Sequence, residues 1–360
     1  MRKPKLLTAL ASALVLALAA TACGGGSGGG GGGGEQGGGE GGGGETEVKP
    51  GLVLDVGGLG DQSFNDSANA GLERAQEEFG VEGETLESGA PTDYVNNLTQ
   101  LAENGFNPVF AVGFLMTDAV NEVAPQFPDT NFAIVDSTVD VDNGAGLVFR
   151  EQEGSYLAGV VAGLMTQEDT EYTTSDEQVI GFLGGQESPL IEKFEAGYTA
   201  GVVAVCPDCE VLVQYAGTTP DAFNDPARGR EISTQQIEDG ADVIYHASGA
   251  TGTGLFEAAT EEGIFAIGVD ADQAKLVPEA PILTSVVKRV DNAVFSAIEE
   301  TRNGNFPAGE TVEYGLKDGG MSLAPFGRFD DQVPQEVKDE VESSRQGIID
   351  GEIQVPDTVE

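Results

Sequence analysis

A single histidine, His246, and three cysteines in 360 residues leave little material for a metal centre or for histidine-based catalysis. No His-Glu-x-x-His pair, Gly-x-Ser-x-Gly elbow or Walker loop occurs, so the enzyme classes that announce themselves by motif are excluded. Basic residues are equally scarce. Seventeen lysines and arginines face 61 acidic residues, a formal net charge of −44. Without a basic stripe to neutralise phosphates, nucleic acid is excluded as a partner. Anionic lipid surfaces would repel the body of the chain. Past the N-terminal segment, no apolar run is long enough to span a bilayer.

What is present begins with an export signal. Met1 to Lys5 is a basic head, Leu6 to Ala20 an apolar core, and Thr21-Ala22 precede Cys23. This is the layout of a signal peptide over 1–22. The cysteine at its end suggests a bacterial lipoprotein with Cys23 as the acylated N-terminus; simple secretion with cleavage nearby is the alternative. Residues 24–46 are almost all glycine with a few glutamates. They cannot bury a core and read as a flexible tether, with an r.m.s. reach of about 25–30 Å. In an exported chain, Cys206-Pro-Asp-Cys209 reads first as a local disulfide, ahead of a redox pair or half of a zinc site.

The rest is organised around Gly51 to Ser67. A short apolar run, Gly51–Val56, suits a buried parallel strand. A glycine-rich turn follows, then Ser63 and Asn65, which can cap the helix that runs on to Phe79. Phe64 at the helix entrance is either a staple on its own helix or a platform for a planar ligand. Strands and helices alternate from there to the end, interrupted by a polar stretch, 166–178. Two series of βαβ units predict an α/β protein of two doubly wound lobes with a cleft between them. The segment 313–323 reads as a further short strand pair.

Ligands of open α/β sheets bind outside the carboxyl ends of the strands. The residues predicted there include Asp55, Asp61, Ser63, Phe64, Asn65, Phe114 and Asp136 from the first series. The second supplies Tyr215, Phe223, His246, Gly249, Asp270 and Lys288. Hydrogen-bonding groups with a few loop aromatics and little positive charge suit a neutral polar ligand bearing a flat ring. Gly249-Ala-Thr-Gly252-Thr-Gly254 lacks the spacing and the basic support of a nucleotide loop; it reads as a tight turn lending backbone groups to a ligand. His246 reads as a satisfied histidine at the rim.

Several segments carry a specific resemblance: Asp55-Val-Gly-Gly-Leu-Gly-Asp-Gln-Ser-Phe-Asn65, Phe132-Ala-Ile-Val-Asp-Ser137, Phe149-Arg-Glu-Gln-Glu-Gly-Ser-Tyr-Leu-Ala-Gly159, Gly268-Val-Asp-Ala-Asp-Gln273 and Thr284-Ser-Val-Val-Lys-Arg-Val290. Over 51–324 the chain resembles the basic membrane protein family of substrate-binding lipoproteins, which includes purine nucleoside receptors of ABC importers. The resemblance implies a type I periplasmic-binding-protein fold with three hinge crossings. It implies lobes at 47–170 plus 279–305 and at 171–278 plus 306–356. It further implies a base held between Phe64 and Phe223, its edge read by Asp136 with Asn65 beside it. Asp270 and Lys288, as a pair, would hold ribose hydroxyls, and backbone near Gly249 would complete the pocket. The loop 218–223 is longer than the family pattern. No cofactor, no enzymatic activity and a monomeric, lipid-anchored receptor that works with a permease are implied as well. A free-sugar receptor, a sensor of ligand occupancy and an extracytoplasmic nucleoside hydrolase are the rival readings.

Overall fold

The computed structural model describes residues 48–174 and 178–359; Cys23, the export signal and the tether lie outside them. The first series runs β1 (Gly51–Leu54), α1 (Phe64–Phe79), β2 (Glu84–Leu86), α2 (Tyr94–Glu103), β3 (Val109–Val112), α3 (Thr117–Val123), β4 (Phe132–Val135), β5 (Gly144–Phe149) and α4 (Glu151–Met165). The second runs β6 (Val179–Gln186), α5 (Pro189–Val205), β7 (Glu210–Gly217), α6 (Pro226–Glu238), β8 (Ala241–Ala247), α7 (Thr253–Glu262), β9 (Phe265–Asp270), α8 (Gln273–Leu276) and β10 (Ile282–Lys288). The chain closes with α9 (Val290–Arg302), β11 (Thr311–Tyr314), β12 (Met321–Leu323) and α10 (Gln335–Ile349).

The strands form two six-stranded sheets, ordered β11-β5-β4-β3-β1-β2 and β12-β10-β9-β8-β6-β7. All pairings are parallel except that of β12 with β10. β1, β3 and β4 are buried at every residue, which is why they read as unbroken apolar runs and not as alternating ones. Helices cover both faces.

The two orders match position for position, so β4 in one lobe corresponds to β9 in the other. Their sequences correspond too: Phe132-Ala-Ile-Val-Asp136 against Phe265-Ala-Ile-Gly-Val-Asp270. Both runs end on an aspartate in left-handed backbone, φ 67° at Asp136 and 62° at Asp270. Aspartate tolerates that conformation better than most residues but still at a cost of roughly 1 kcal/mol. Each lobe therefore turns one strained carboxylate at the end of its fourth strand toward the cleft.

The chain crosses between lobes at Arg150, Arg289 and Gly315, and this moves the lobe boundaries. β10 pairs with β9, so 282–288 belongs to the second lobe and not to the first, where sequence had put it. β11 pairs with β5, so 311–314 belongs to the first lobe. β11 and β12 are thus not a strand pair; each extends a different sheet. α4 packs on α5 and lies with the second lobe, whereas α9 packs on α1 in the first. Sequence order hides this exchange, because strands that are close in sequence are usually close in space.

Candidate functional site

The entrance of α1 is built by Asp61. Its carboxylate accepts from the backbone N–H groups of Ser63 (3.0 Å), Asn65 (2.8 Å) and Asp66 (3.1 Å). Asp61, and not Ser63 or Asn65, therefore caps the helix. Both side chains are freed for other work. The Ser63 hydroxyl donates across the cleft to Asp270 Oδ2 at 2.5 Å. The Asn65 amide donates to Asp55 at 2.9 Å and to Asp61 at 3.1 Å. These two acceptors fix the amide's orientation, and its Oδ1, at the pocket wall, has no protein partner.

The pocket lies between the lobes. It holds about 570 Å³ of atom-free space, its mouth included. Phe64 and Phe114 from the first lobe and Phe194 and Phe223 from the second line it. Phe64 also packs against the core, so the staple and the platform readings of this ring are compatible. Phe114 and Phe223 meet edge to face with centroids 6.3 Å apart. Gly249 lines the wall in left-handed backbone, φ 56°, where a Cβ would lie 3.1 Å from the Phe223 carbonyl oxygen. Further bonds close the lobes: Gln273 Nε2 donates to the Gln62 carbonyl (3.0 Å) and Asn224 Nδ2 to the Val56 carbonyl (3.3 Å).

Among the described residues that line the pocket, Lys288 is the only cation. Its ammonium lies 2.6 Å from Asp136 Oδ2 and 3.1 Å from Glu151 Oε1, with both acids almost fully buried. Burial opposes its charge, but the carboxylates of Asp136, Glu151 and Asp270 outweigh that and raise its pKa above the ordinary lysine value. The expected Lys288–Asp270 pair does not form as a contact; Asp270 bonds to Ser63 and acts on the lysine through space. Burial lifts Asp270 to about 7 and Asp136 to about 6, in each case against the pull of Lys288. Burial also lifts Asp55 to about 6. Asp136 Oδ1 has no hydrogen-bond partner.

His246 is not at the rim. It is fully buried, its ring nitrogens 3.2 Å from Ser248 Oγ and 2.9 Å from Gln273 Oε1, and burial lowers its pKa to about 4. It is a neutral structural residue that orients the Gln273 bridge to the first lobe. Cys206 and Cys209 form a disulfide after α5. Among the described residues, no cluster of side chains could hold a metal ion. Sequence reasoning missed Phe194 and Glu151 altogether. Phe194 sits inside an amphipathic helix, where an aromatic reads as core; Glu151 opens a helix, where an acid reads as a solvated, dipole-favoured residue.

Two α/β lobes, three crossings and a polar, aromatic-lined pocket between strand ends are the architecture of the periplasmic-binding-protein class. The chain belongs to the Bmp family, described as ABC transporter substrate-binding protein PnrA-like, whose model matches residues 49–359. The chain is 37% identical over 327 residues to the CD4+ T-cell-stimulating antigen of Listeria innocua, covering 85% of this chain and 87% of that one. It is 34% identical over 333 residues to the ABC transporter nucleoside-binding protein BmpA of Lactococcus lactis, covering 87% and 90%. Among solved structures, an ABC transporter solute-binding protein from Aeropyrum pernix superposes with a TM-score of 0.76 at 30% identity, covering 86% of this chain and 94% of that one. The protein is thus the extracytoplasmic, ligand-capturing component of an ABC importer.

Proposed function

We propose that the receptor captures purine nucleosides such as inosine, guanosine and adenosine and hands them to its permease. The observation that carries this is the placement of Phe64 and Phe223, from opposite lobes, on one narrow pocket with Lys288, Asp136 and Asp270. A base stacked on aromatic rings gains roughly 1–3 kcal/mol per ring. A pentose hydroxyl lost from the ligand would leave a buried polar group unpaired, at about 1–3 kcal/mol. Asn65 Oδ1 and Asp136 Oδ1 offer free acceptors to the edge of a base. Asp270 trades its bond to Ser63 for a ribose hydroxyl, with backbone near Gly249 completing the grip. Further support comes from the Lactococcus relative, whose name describes nucleoside binding. The body works as a monomer, held at the outer face of the cell membrane through acylated Cys23. Native mass spectrometry of the protein purified without added ligand tests the reading. A co-purifying nucleoside supports it; a free sugar in its place would overturn it.

A further inference from the structure

Lys288 has three N–H donors. Asp136 accepts one of them at 2.6 Å; Glu151 Oε1 faces the ammonium at 3.1 Å as an ion-pair partner without hydrogen-bond geometry, so the other donors are open to the pocket. The two acids are not equivalent. Asp136 follows β4 in the first lobe, so its bond to Lys288 spans the cleft and breaks when the lobes part. Glu151 is the first residue of α4, on the second-lobe side of the Arg150 crossing, and Lys288 is the last residue of β10, on the second-lobe side of the Arg289 crossing. Their ion pair lies within one lobe and survives opening. Behind it, Lys193 on α5 lies 3.3 Å from the other Glu151 oxygen, with its side chain 29% exposed. The rings of Phe64, Phe149 and Phe194 stand 5.0–5.5 Å from the ammonium and leave it little other room.

We infer that Glu151, backed by Lys193, is a positioning residue: it holds the Lys288 ammonium in its binding pose in the open receptor, before ligand and first lobe arrive. A carboxylate with no exposed side-chain surface, between two lysines and touching no ligand space, has no other evident task. Without it the lysine would swing with Asp136 or solvent, and each closure would have to order a flexible side chain again.

The inference rests on the proposed nucleoside reading, in which Lys288 reads the pentose. Its test is a calorimetric titration of wild type, Glu151→Gln and Lys193→Gln with inosine and with 2′,3′-dideoxyinosine. Wild type should prefer inosine by at least about tenfold. Glu151→Gln should erode that preference by about tenfold while dideoxyinosine affinity stays within about twofold. Lys193→Gln, at the more exposed end and less disruptive to folding, should erode it about threefold. Equal losses for both ligands, or an unchanged preference in whichever variants fold, would overturn the inference while leaving the nucleoside reading in place. Failure of wild type to bind inosine would overturn the nucleoside reading, and this inference with it.

Discussion

Near neutral pH the Asp270 carboxyl is close to half ionised, because burial lifts it to about 7. A pentose hydroxyl donates best to the ionised form, so binding should release a proton and tighten as pH rises. From pH 8 to pH 6 we expect nucleoside affinity to fall about tenfold, which calorimetry in two buffers of different ionisation enthalpy would measure. Stability of the free protein should move the other way. Asp55, Asp136 and Asp270 bind protons more tightly folded than unfolded, so their cost to the fold is present at high pH and relieved as pH falls through about 7 and then 6. His246, lowered to about 4, loses stability below its ordinary 6.5 and offsets part of that gain. Three carboxyls against one imidazole predict a higher melting temperature at pH 6 than at pH 8; a lower one would contradict the burial of these acids. Phe64→Ala should weaken purine binding at least about tenfold, and unchanged affinity would make the ring a staple alone. Most of these residues were legible from strand ends and motif resemblance. Their pairings were not. Ser63 with Asp270, and Lys288 with Asp136, join positions remote in sequence, and only the closing of two lobes decides them; Lys288 meets Glu151 within the second lobe, where the crossings bring β10 and α4 together.

Among the elements, the short strands were legible because a strand buried on both faces cannot hide its apolar run. Helix α1 was legible as a helix, but its cap was misplaced. Three backbone donors converge on Asp61, two residues ahead of Ser63, in a loop whose path the residue pattern does not encode. Asp61→Ala should cost about 1–2 kcal/mol of stability and also weaken ligand binding, because Asn65 loses one of its two anchors; denaturant unfolding and titration of the same variant would check both. The seam between α4 and α5 is another feature that patterning shows only in part. Gly159, Gly197 and Gly201 let the two backbones touch, and a Cβ at any of them would meet backbone of the facing helix. The small-residue face of α4 is visible in sequence, but its partner is not. Gly201→Ala should destabilise the protein by about 1–3 kcal/mol and leave the ratio of affinities for different nucleosides unchanged.

Across the whole molecule, the two-lobe architecture was foreseeable from two series of βαβ units. The placement of α4 and β10 in the second lobe and of β11 in the first was not, since each short segment between crossings looks like a continuation of its neighbour. The same placement puts Lys288 and Glu151 beside the crossings, where their ion pair outlasts opening. The net charge of −44 adds self-repulsion that salt screens, so the melting temperature should rise from low to molar NaCl; a flat or falling curve would show that the acidic surface is not limiting. Closure itself must come from a ligand that touches both lobes at once. Inosine and ribose therefore separate the possibilities most directly, in one calorimetric comparison on the wild-type protein. We expect inosine to bind well below about 100 μM and ribose to show no binding there. Ribose binding as tightly as inosine, or no heat from inosine at that concentration, would contradict a cleft that grips a base between Phe64 and Phe223.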